Sequence, residues 1–161
     1  MKPPQEIHAV LFDWGNTLMA DFGLEGPMCE WPRVEAVEGA GEVLEMLWKR
    51  YRLFVATNGE SSGAAEVAAA LKRVRLDGFF DAIYAQKDLG IGKPHERFFR
   101  TICEKEGLAP SRCLMVGDHI DKDIRGALAF GMQAVLFDPL GRHSGFEGKR
   151  ITSLRELTAL I

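Results

Sequence analysis

Short apolar runs alternate along the chain with segments whose apolar residues recur at helical spacing. Short runs that end in polar residues predict buried strands, because the central strands of a parallel sheet are covered on both faces. The predicted strands are Ile7–Phe12, Tyr51–Thr57, Ala82–Ala85, Arg112–Val116 and Gln133–Phe137. The predicted helices are Ala40–Arg50, Ala64–Val74, Pro94–Gly107, Asp121–Phe130 and a last one that begins at Ser153.

Strands that alternate with helices in this way predict an α/β fold. We expect a three-layer α/β/α, Rossmann-like parallel sheet of about five strands. The first helix should pack on the sheet through Val43, Leu44, Leu47 and Trp48, which share one helical face. Residues 14–37 are rich in Gly, Pro and aromatic residues, and we expect a loop or flap there with at most a small hairpin.

Length and composition are those of one globular domain, covering residues 1–161. The chain is 47% hydrophobic and 27% charged, with a net charge of -3. Its basic residues are scattered, which argues against binding to a nucleic acid backbone. The three cysteines stand alone, so we expect neither a disulfide framework nor a zinc site, and a cytoplasmic location. The run Ile7–Phe12 is too short to span a membrane.

Polar residues follow three of the predicted strands at the points where the strands end. Asp13 follows the first, Thr57-Asn58-Gly59 closes the second, and Gly117-Asp118-His119 follows the fourth. Lys93 lies just before the helix that leads into the fourth strand. Since the carboxyl ends of parallel strands meet at one edge of a sheet, we expect these residues to converge.

These residue types suit phosphoryl transfer. A carboxylate can attack phosphorus and form an acyl phosphate. Carboxylates that gather around an anionic group need a cation, and oxygen ligands of this kind suit Mg²⁺. A hydroxyl, an amide and backbone N–H groups after the second strand can bind phosphate oxygens. A lysine can neutralise both the phosphate and a carboxylate.

Four motifs, in order along nearly the whole chain, resemble those of the haloacid dehalogenase superfamily of phosphohydrolases. The first motif of that family, DxDx[T/V] after an apolar strand, is similar to Asp13-Trp14-Gly15-Asn16-Thr17. The second, a strand ending in Ser or Thr, matches Phe54-Val55-Ala56-Thr57. The third is Gly92-Lys93-Pro94, and the fourth, GDxxxxD before a Gly/Ala-rich helix, is Gly117-Asp118 through Asp123.

The resemblance implies a role for each matching residue. It implies that Asp13, Thr57 and Lys93 are catalytic, with Asp13 as the nucleophile. It further implies that Asn58, Gly59 and His119 contact substrate. Mg²⁺ would be held by Asp13, Asp118, Asp123 and the backbone carbonyl of Gly15. Asp121 competes with Asp123 for the second acidic position, and the spacing favours Asp123.

Gly15 is the main departure from the family pattern. The phosphatases of the family carry a second aspartate there, as general acid and base. Such catalysis contributes about 10²–10⁴-fold to a rate. The site is therefore expected to be slow, to need substrates with good leaving groups, or to use another proton donor, for which His119 is a candidate.

The resemblance also implies a capless or minimally capped form. The core elements fill most of the intervals between Asp13 and Thr57 and between Thr57 and Lys93. No true cap domain fits there, so the site should be open. A large substrate or a neighbouring subunit, as in a homo-oligomer, would then have to close it.

The leading hypothesis is an Mg²⁺-dependent phosphomonoester hydrolase acting through an aspartyl-phosphate at Asp13. Its substrate would be a small phosphorylated molecule or a phosphorylated macromolecule. Carbon–halogen hydrolysis is an alternative that needs no leaving-group acid. Phosphonate cleavage also tolerates a residue such as Gly15, but it needs a cap-borne lysine. A phospho-ligand or partner-binding protein with a weakened site is the remaining alternative.

Overall fold

Parallel pairing of short buried strands organises the structure, a computed structural model that describes residues 5–161. All six strands are parallel, in the order β3-β2-β1-β4-β5-β6. They are β1 (Ala9–Phe12), β2 (Arg52–Thr57), β3 (Ala82–Ala85), β4 (Cys113–Gly117), β5 (Gln133–Phe137) and β6 (Arg150–Ile151). The order reverses at β1, which pairs with both β2 and β4.

The two faces of the sheet bury separate apolar cores. Successive side chains of a strand point to opposite faces, so Val10 and Phe12 join one core while Ala9 and Leu11 join the other. The helices α1 (Ala40–Leu47), α2 (Ala64–Arg73) and α6 (Leu157–Leu160) contribute to the first core, and α4 (Glu96–Glu106) and α5 (Gly126–Phe130) to the second. A short helix, α3 (Gln86–Leu89), follows β3. The predicted three-layer α/β/α fold is confirmed.

The sheet has one strand more than the five that were expected. β6 is only two residues long, and it pairs with β5 through Leu136↔Arg150 and Phe137↔Ile151. The residues that flank β6 in the sequence are charged or glycine, so no apolar run predicts this strand. Only Ile151 is buried, which is enough to fix the edge strand against the core.

Two predicted helices start or wind differently from expectation. α4 begins at Glu96 rather than at Pro94, because His95 has extended backbone and its Nδ1 accepts a hydrogen bond from the Arg97 amide. The segment expected to be one helix over 121–130 is a π-helical turn, Ile120–Arg125, followed by α5. This wider turn lies beside the candidate site, where such turns are frequent.

Trp48 was expected to pack in the core, but the structure places it at the surface. It lies one residue beyond the end of α1 and is 46% exposed, with its ring tilted against Phe79. Val43, Leu44 and Leu47 are buried as predicted. The apolar stripe of α1 therefore ends with the helix itself.

Residues 14–37 form a folded loop that is fastened to α2. Met19 makes isolated bridges to Gly15 and to Ala36, and a 3₁₀ turn covers Met28–Glu30. The guanidinium of Arg73 donates hydrogen bonds to the carbonyls of Trp31, at 2.5 Å, and Cys29, at 3.2 Å. We call residues 14–37 the flap segment. Within the described residues, no helix is both long and apolar enough to cross a membrane.

Replacing Arg73 by alanine should loosen the flap segment. Two carbonyls that now accept from a charged donor would lose it, which we expect to lower the free energy of unfolding by about 1–3 kcal/mol. Hydrogen exchange should quicken in residues 25–31. The matched control is Lys72→Ala on the exposed side of the same helix turn, which should change neither quantity. Equal exchange rates in the two variants would contradict this role of Arg73.

Candidate active site

The strand order places the candidate residues where α/β sheets bind ligands. β1 and β4 are neighbours at the reversal of strand order, and the crevice beyond their carboxyl ends is the usual ligand site of such sheets. Asp13 follows β1 and Asp118 follows β4. The Asp13 amide donates to the carbonyl of Val116 at 2.9 Å, which continues the β1–β4 pairing one residue beyond the strand.

Lys93 is buried at the centre of this crevice. Its Nζ lies 3.0 Å from Oδ1 of Asp13 and 2.6 Å from Oδ1 of Asp123. A third hydrogen bond, at 2.7 Å, goes to the carbonyl of Ala56. An ammonium group has three hydrogens, so all three are used within the protein. The side chain is 2% exposed, and its position is therefore fixed by partners from β2, the end of β1 and the π-helical turn.

Asn58 holds the backbone of Lys93. Its Oδ1 accepts from the Lys93 amide at 2.9 Å, and its Nδ2 donates to the Lys93 carbonyl at 2.8 Å. Both polar atoms of the side chain therefore contact the backbone of Lys93, because the loop after β2 and the loop before α4 lie side by side. Asn58 also lines the cleft and its Nδ2 carries a second hydrogen, so its contact with substrate stays a prediction.

Three carboxylates face one another around Lys93. Asp13, Asp118 and Asp123 each offer an oxygen within 4.8 Å of the others. Asp121 lies elsewhere, since its side chain is 65% exposed and pairs with Arg125 at 2.6 Å. Of the two acidic residues that compete for the second position, the structure places Asp123 in the crevice.

One lysine cannot neutralise three neighbouring carboxylates, and their pKa values reflect this. Burial alone would raise the pKa of Asp13, but the adjacent Lys93 ammonium leaves that pKa below its usual value. Burial and the neighbouring Asp13 raise the pKa of Asp118 to about 8. The pKa of Asp123 is also raised, mainly because this carboxyl group is buried. Asp13 is thus the carboxyl group that is kept ionised, while the raised pKa values of Asp118 and Asp123 reflect the negative charge that gathers here.

The π-helical turn aims Asp123 into the crevice. The His119 carbonyl accepts from the amides of both Asp123, at 2.9 Å, and Ile124, at 3.4 Å. Oδ2 of Asp123 accepts from the His119 amide at 3.1 Å, so both of its oxygens have protein partners. A Cβ on Gly117 would overlap the Asp123 carboxyl group, which means that only glycine leaves room for this approach.

The hydroxyls of Thr57 and Thr17 face the same space. Oγ1 of Thr57 accepts from the Gly59 amide at 3.1 Å, which leaves its own hydrogen for another acceptor. Thr17 is buried, and its Oγ1 lies 3.3 Å from both Oδ2 of Asp13 and Oδ1 of Asp118. Thr17 has no role among our sequence expectations, although its place in the first motif could have indicated one.

His119 is exposed at the rim of the crevice. Its Nδ1 accepts from the Lys122 amide at 3.1 Å and so caps the π-helical turn. Gly15 also lines the crevice. The predicted residues therefore converge, with Asp13, Thr57, Lys93, Asp118 and Asp123 at the centre and Gly15, Asn58, Gly59 and His119 around them.

Above these residues lies a cleft of about 520 Å³, and the flap segment forms one of its walls. The aromatic residues Trp14 and Trp31 are 5% and 7% exposed, so each packs into the protein while an edge faces the cleft. These tryptophans therefore both pack the flap segment and line the cleft. Several other residues that line the cleft have no role among our sequence expectations, among them Asp21, Met28 and Lys122.

Comparison with known proteins agrees with this geometry. The model of the haloacid dehalogenase-like hydrolases matches residues 25–131, well over half of the chain. The chain belongs to this family. The glyceraldehyde 3-phosphate phosphatase of Methanothermobacter thermautotrophicus is 34% identical over 94 residues, which are 58% of this chain and 40% of that protein. The chain therefore spans about two fifths of the length of this curated relative.

Solved structures of the family superpose on the chain. A haloacid dehalogenase-type phosphatase from Thermococcus onnurineus has a TM-score of 0.70 at 28% identity, over 79% of this chain and 58% of that one. A 2-haloacid dehalogenase from Pseudomonas syringae pv. Tomato has a TM-score of 0.68, also at 28% identity, over 80% of this chain and 54% of that one. Both kinds of chemistry are thus found among relatives of equal identity.

Replacing Asp118 by asparagine should stabilise the metal-free protein in a pH-dependent way. The pKa of this carboxyl rises from 3.8 to about 8 on folding, so the native state loses stability as pH rises between these values. Below about pH 4 the variant and the native protein should therefore be alike. At pH 8 we expect a gain of at least about 1 kcal/mol, or roughly 2–4 °C in Tm. Thermal unfolding in chelator across this range measures it.

Asp121→Asn is the matched control, since that exposed carboxylate pairs with Arg125 and should give no such gain. If the Tm difference between Asp118→Asn and the native protein stayed constant with pH, this would contradict the raised pKa of Asp118.

Gly117→Ala should destabilise the fold, because the added methyl group forces Asp123 away from Lys93. Overpacking of this kind costs about 1–3 kcal/mol, measurable by urea unfolding. Gly145→Ala is the control, since a Cβ there meets nothing within 4 Å. Equal stability of the two variants would show that Asp123 can move aside at no cost.

Proposed function

We propose that the protein is an Mg²⁺-dependent phosphomonoester hydrolase in which Asp13 forms an aspartyl-phosphate. One observation carries the proposal. The Asp13 carboxylate is held ionised by the buried Lys93, yet its side chain is 14% exposed and faces the cleft. A carboxylate in this state is a nucleophile that a substrate can reach.

The donor set fits Mg²⁺. Three carboxylates lie around a single lysine, and carboxylate and carbonyl oxygens are the ligands that Mg²⁺ prefers. Asp13, Asp118 and the Gly15 carbonyl would hold the ion, with Asp123 beside them. When bound, Mg²⁺ supplies positive charge that offsets the negative charge of the phosphoryl group and of these carboxylates.

The side chains of the crevice account for the remaining requirements of phosphoryl transfer. An oxygen of Asp13 forms a bond to phosphorus as the bond to the leaving-group oxygen breaks. Lys93 keeps Asp13 ionised and in place, and the free hydroxyl hydrogen of Thr57 is available to a phosphoryl oxygen. Water then attacks phosphorus, which releases inorganic phosphate and regenerates Asp13.

The cleft bears on the choice of substrate. Its floor is acidic and its wall carries the edges of Trp14 and Trp31 together with Lys122. A volume of about 520 Å³ suits a small phosphorylated molecule. We propose such a substrate, with the flap segment as the wall in place of a cap domain. The phosphatase names of relatives support the reaction.

Gly15 favours a second candidate, carbon–halogen hydrolysis, because that reaction uses an aspartate nucleophile and needs no acid for the leaving halide. A relative of 28% identity is a 2-haloacid dehalogenase. However, displacement of a halide involves no phosphoryl group whose charge a metal ion would offset. The carboxylates of Asp118 and Asp123 would then have no role in the reaction. We therefore rank phosphomonoester hydrolysis first.

Hydrolysis of an aryl phosphate and a panel of phosphomonoesters, with and without Mg²⁺, tests the proposal. We expect turnover that requires Mg²⁺ and falls by at least about 10³-fold in Asp13→Asn. Asp121→Asn, which removes an acid outside the crevice, should keep native activity. A 2-haloacid in the same panel tests the second candidate.

Halide release without phosphate release would move the assignment to dehalogenation. No turnover of any substrate, with Mg²⁺ still bound, would favour a binding role. Activity that survives in Asp13→Asn would contradict the nucleophile.

A further inference from the structure

The missing acid at Gly15 leaves a space that another carboxylate approaches. A Cβ built on Gly15 would lie 3.8 Å from both Cβ and Oδ2 of Asp21, in ordinary van der Waals contact, and among residues 5–161 no other residue except its chain neighbours comes within 4 Å. Gly15 and Asp21 both line the cleft. Asp21 therefore brings a carboxyl group close to where the family aspartate would have placed one.

Local hydrogen bonds hold Asp21 in this orientation. Its amide donates to Oδ1 of Asn16 at 3.0 Å, and its Oδ1 accepts from the Gly23 amide at 2.8 Å. Oδ2 is the oxygen turned towards Gly15. Asn16 has a positive φ of 61°, which folds the chain back so that residues 16 and 21 meet. Asp21 is exposed, and these hydrogen bonds of the turn fix the orientation of its carboxyl group.

Asp21 also shares the cleft with Asp13, which a proton donor must do. Both residues line the same cavity of about 520 Å³. His119, the candidate named from sequence, follows β4, and its Nδ1 accepts from the Lys122 amide. It does not come within 4 Å of a Cβ built on Gly15, whereas Asp21 does, so Asp21 is better placed to replace a side chain at 15.

We propose that Asp21 is the general acid and base of this enzyme, an assignment that rests on the proposed phosphatase function. As Asp13 bonds to phosphorus, the leaving-group oxygen departs and takes the proton of the Asp21 carboxyl group. The resulting Asp21 carboxylate then accepts a proton from the water that attacks the aspartyl-phosphate. Inorganic phosphate leaves, and Asp13 and protonated Asp21 are restored.

Leaving-group dependence tests this assignment. In Asp21→Asn, release of the alcohol from an alkyl phosphate in the first turnover should slow by about 10²-fold or more, the usual contribution of a general acid. Release of nitrophenolate from an aryl phosphate should slow by less than about 10-fold, because a stable anion needs no proton. Glu25→Gln, an exposed acid of the same flap segment outside the cleft, is the control and should match the native protein.

Rescue separates catalysis from a structural effect. Gly15→Asp added to Asp21→Asn should restore alkyl phosphate turnover, since the two positions supply the same site. Equal slowing on both leaving groups, native rates in Asp21→Asn, or no rescue by Gly15→Asp would each overturn the assignment. These outcomes differ from failure of the proposed function, in which the native protein hydrolyses no phosphomonoester or Asp13→Asn stays active.

Discussion

The buried ammonium group of Lys93 is the interaction on which the rest of the site depends. It joins the end of β1, the end of β2 and the π-helical turn through Asp13, the Ala56 carbonyl and Asp123. A buried charge is tolerated only when it is paired and fully hydrogen-bonded, and all three of its hydrogens are used here. The loss of any one partner would leave a buried N–H of the ammonium group without an acceptor, so the fold and the site are stabilised together.

Lys93 can contact its carboxylate partners because backbone and side chains pack closely around it. Lys93 is brought in by Asn58, whose amide bonds both polar backbone groups of the lysine. A Cβ on Gly92 would lie 2.6 Å from Oδ1 of Asn58, so the glycine before Lys93 is needed for this contact. Gly117 likewise leaves room for the carboxyl group of Asp123, which a Cβ at this position would overlap. The glycines of the third and fourth motifs therefore act by leaving room around the lysine.

The sequence predicted those parts of the structure that follow from periodicity and strand ends. Apolar runs located β1 to β5, and the polar residues that follow them do converge. β6 escaped prediction because two residues carry no pattern. The π-helical turn escaped because six residues of wider winding are too few to show a period different from that of an α-helix. The two hydrogen bonds between Asn58 and Lys93 depend on how separate loops meet, which no local pattern in the chain records. The approach of Asp21 to Gly15 depends on a turn within the flap segment that has no regular period.

The central claim is that Asp13 carries a phosphoryl group during turnover. Acid quench within the first turnover of an aryl phosphate in Mg²⁺, followed by peptide mass spectrometry, measures it most directly. We predict the mass of one phosphoryl group on the peptide that contains Asp13, labile to hydroxylamine as an acyl phosphate is. A phosphoryl group on a different residue, in a protein that turns the substrate over, would contradict the account.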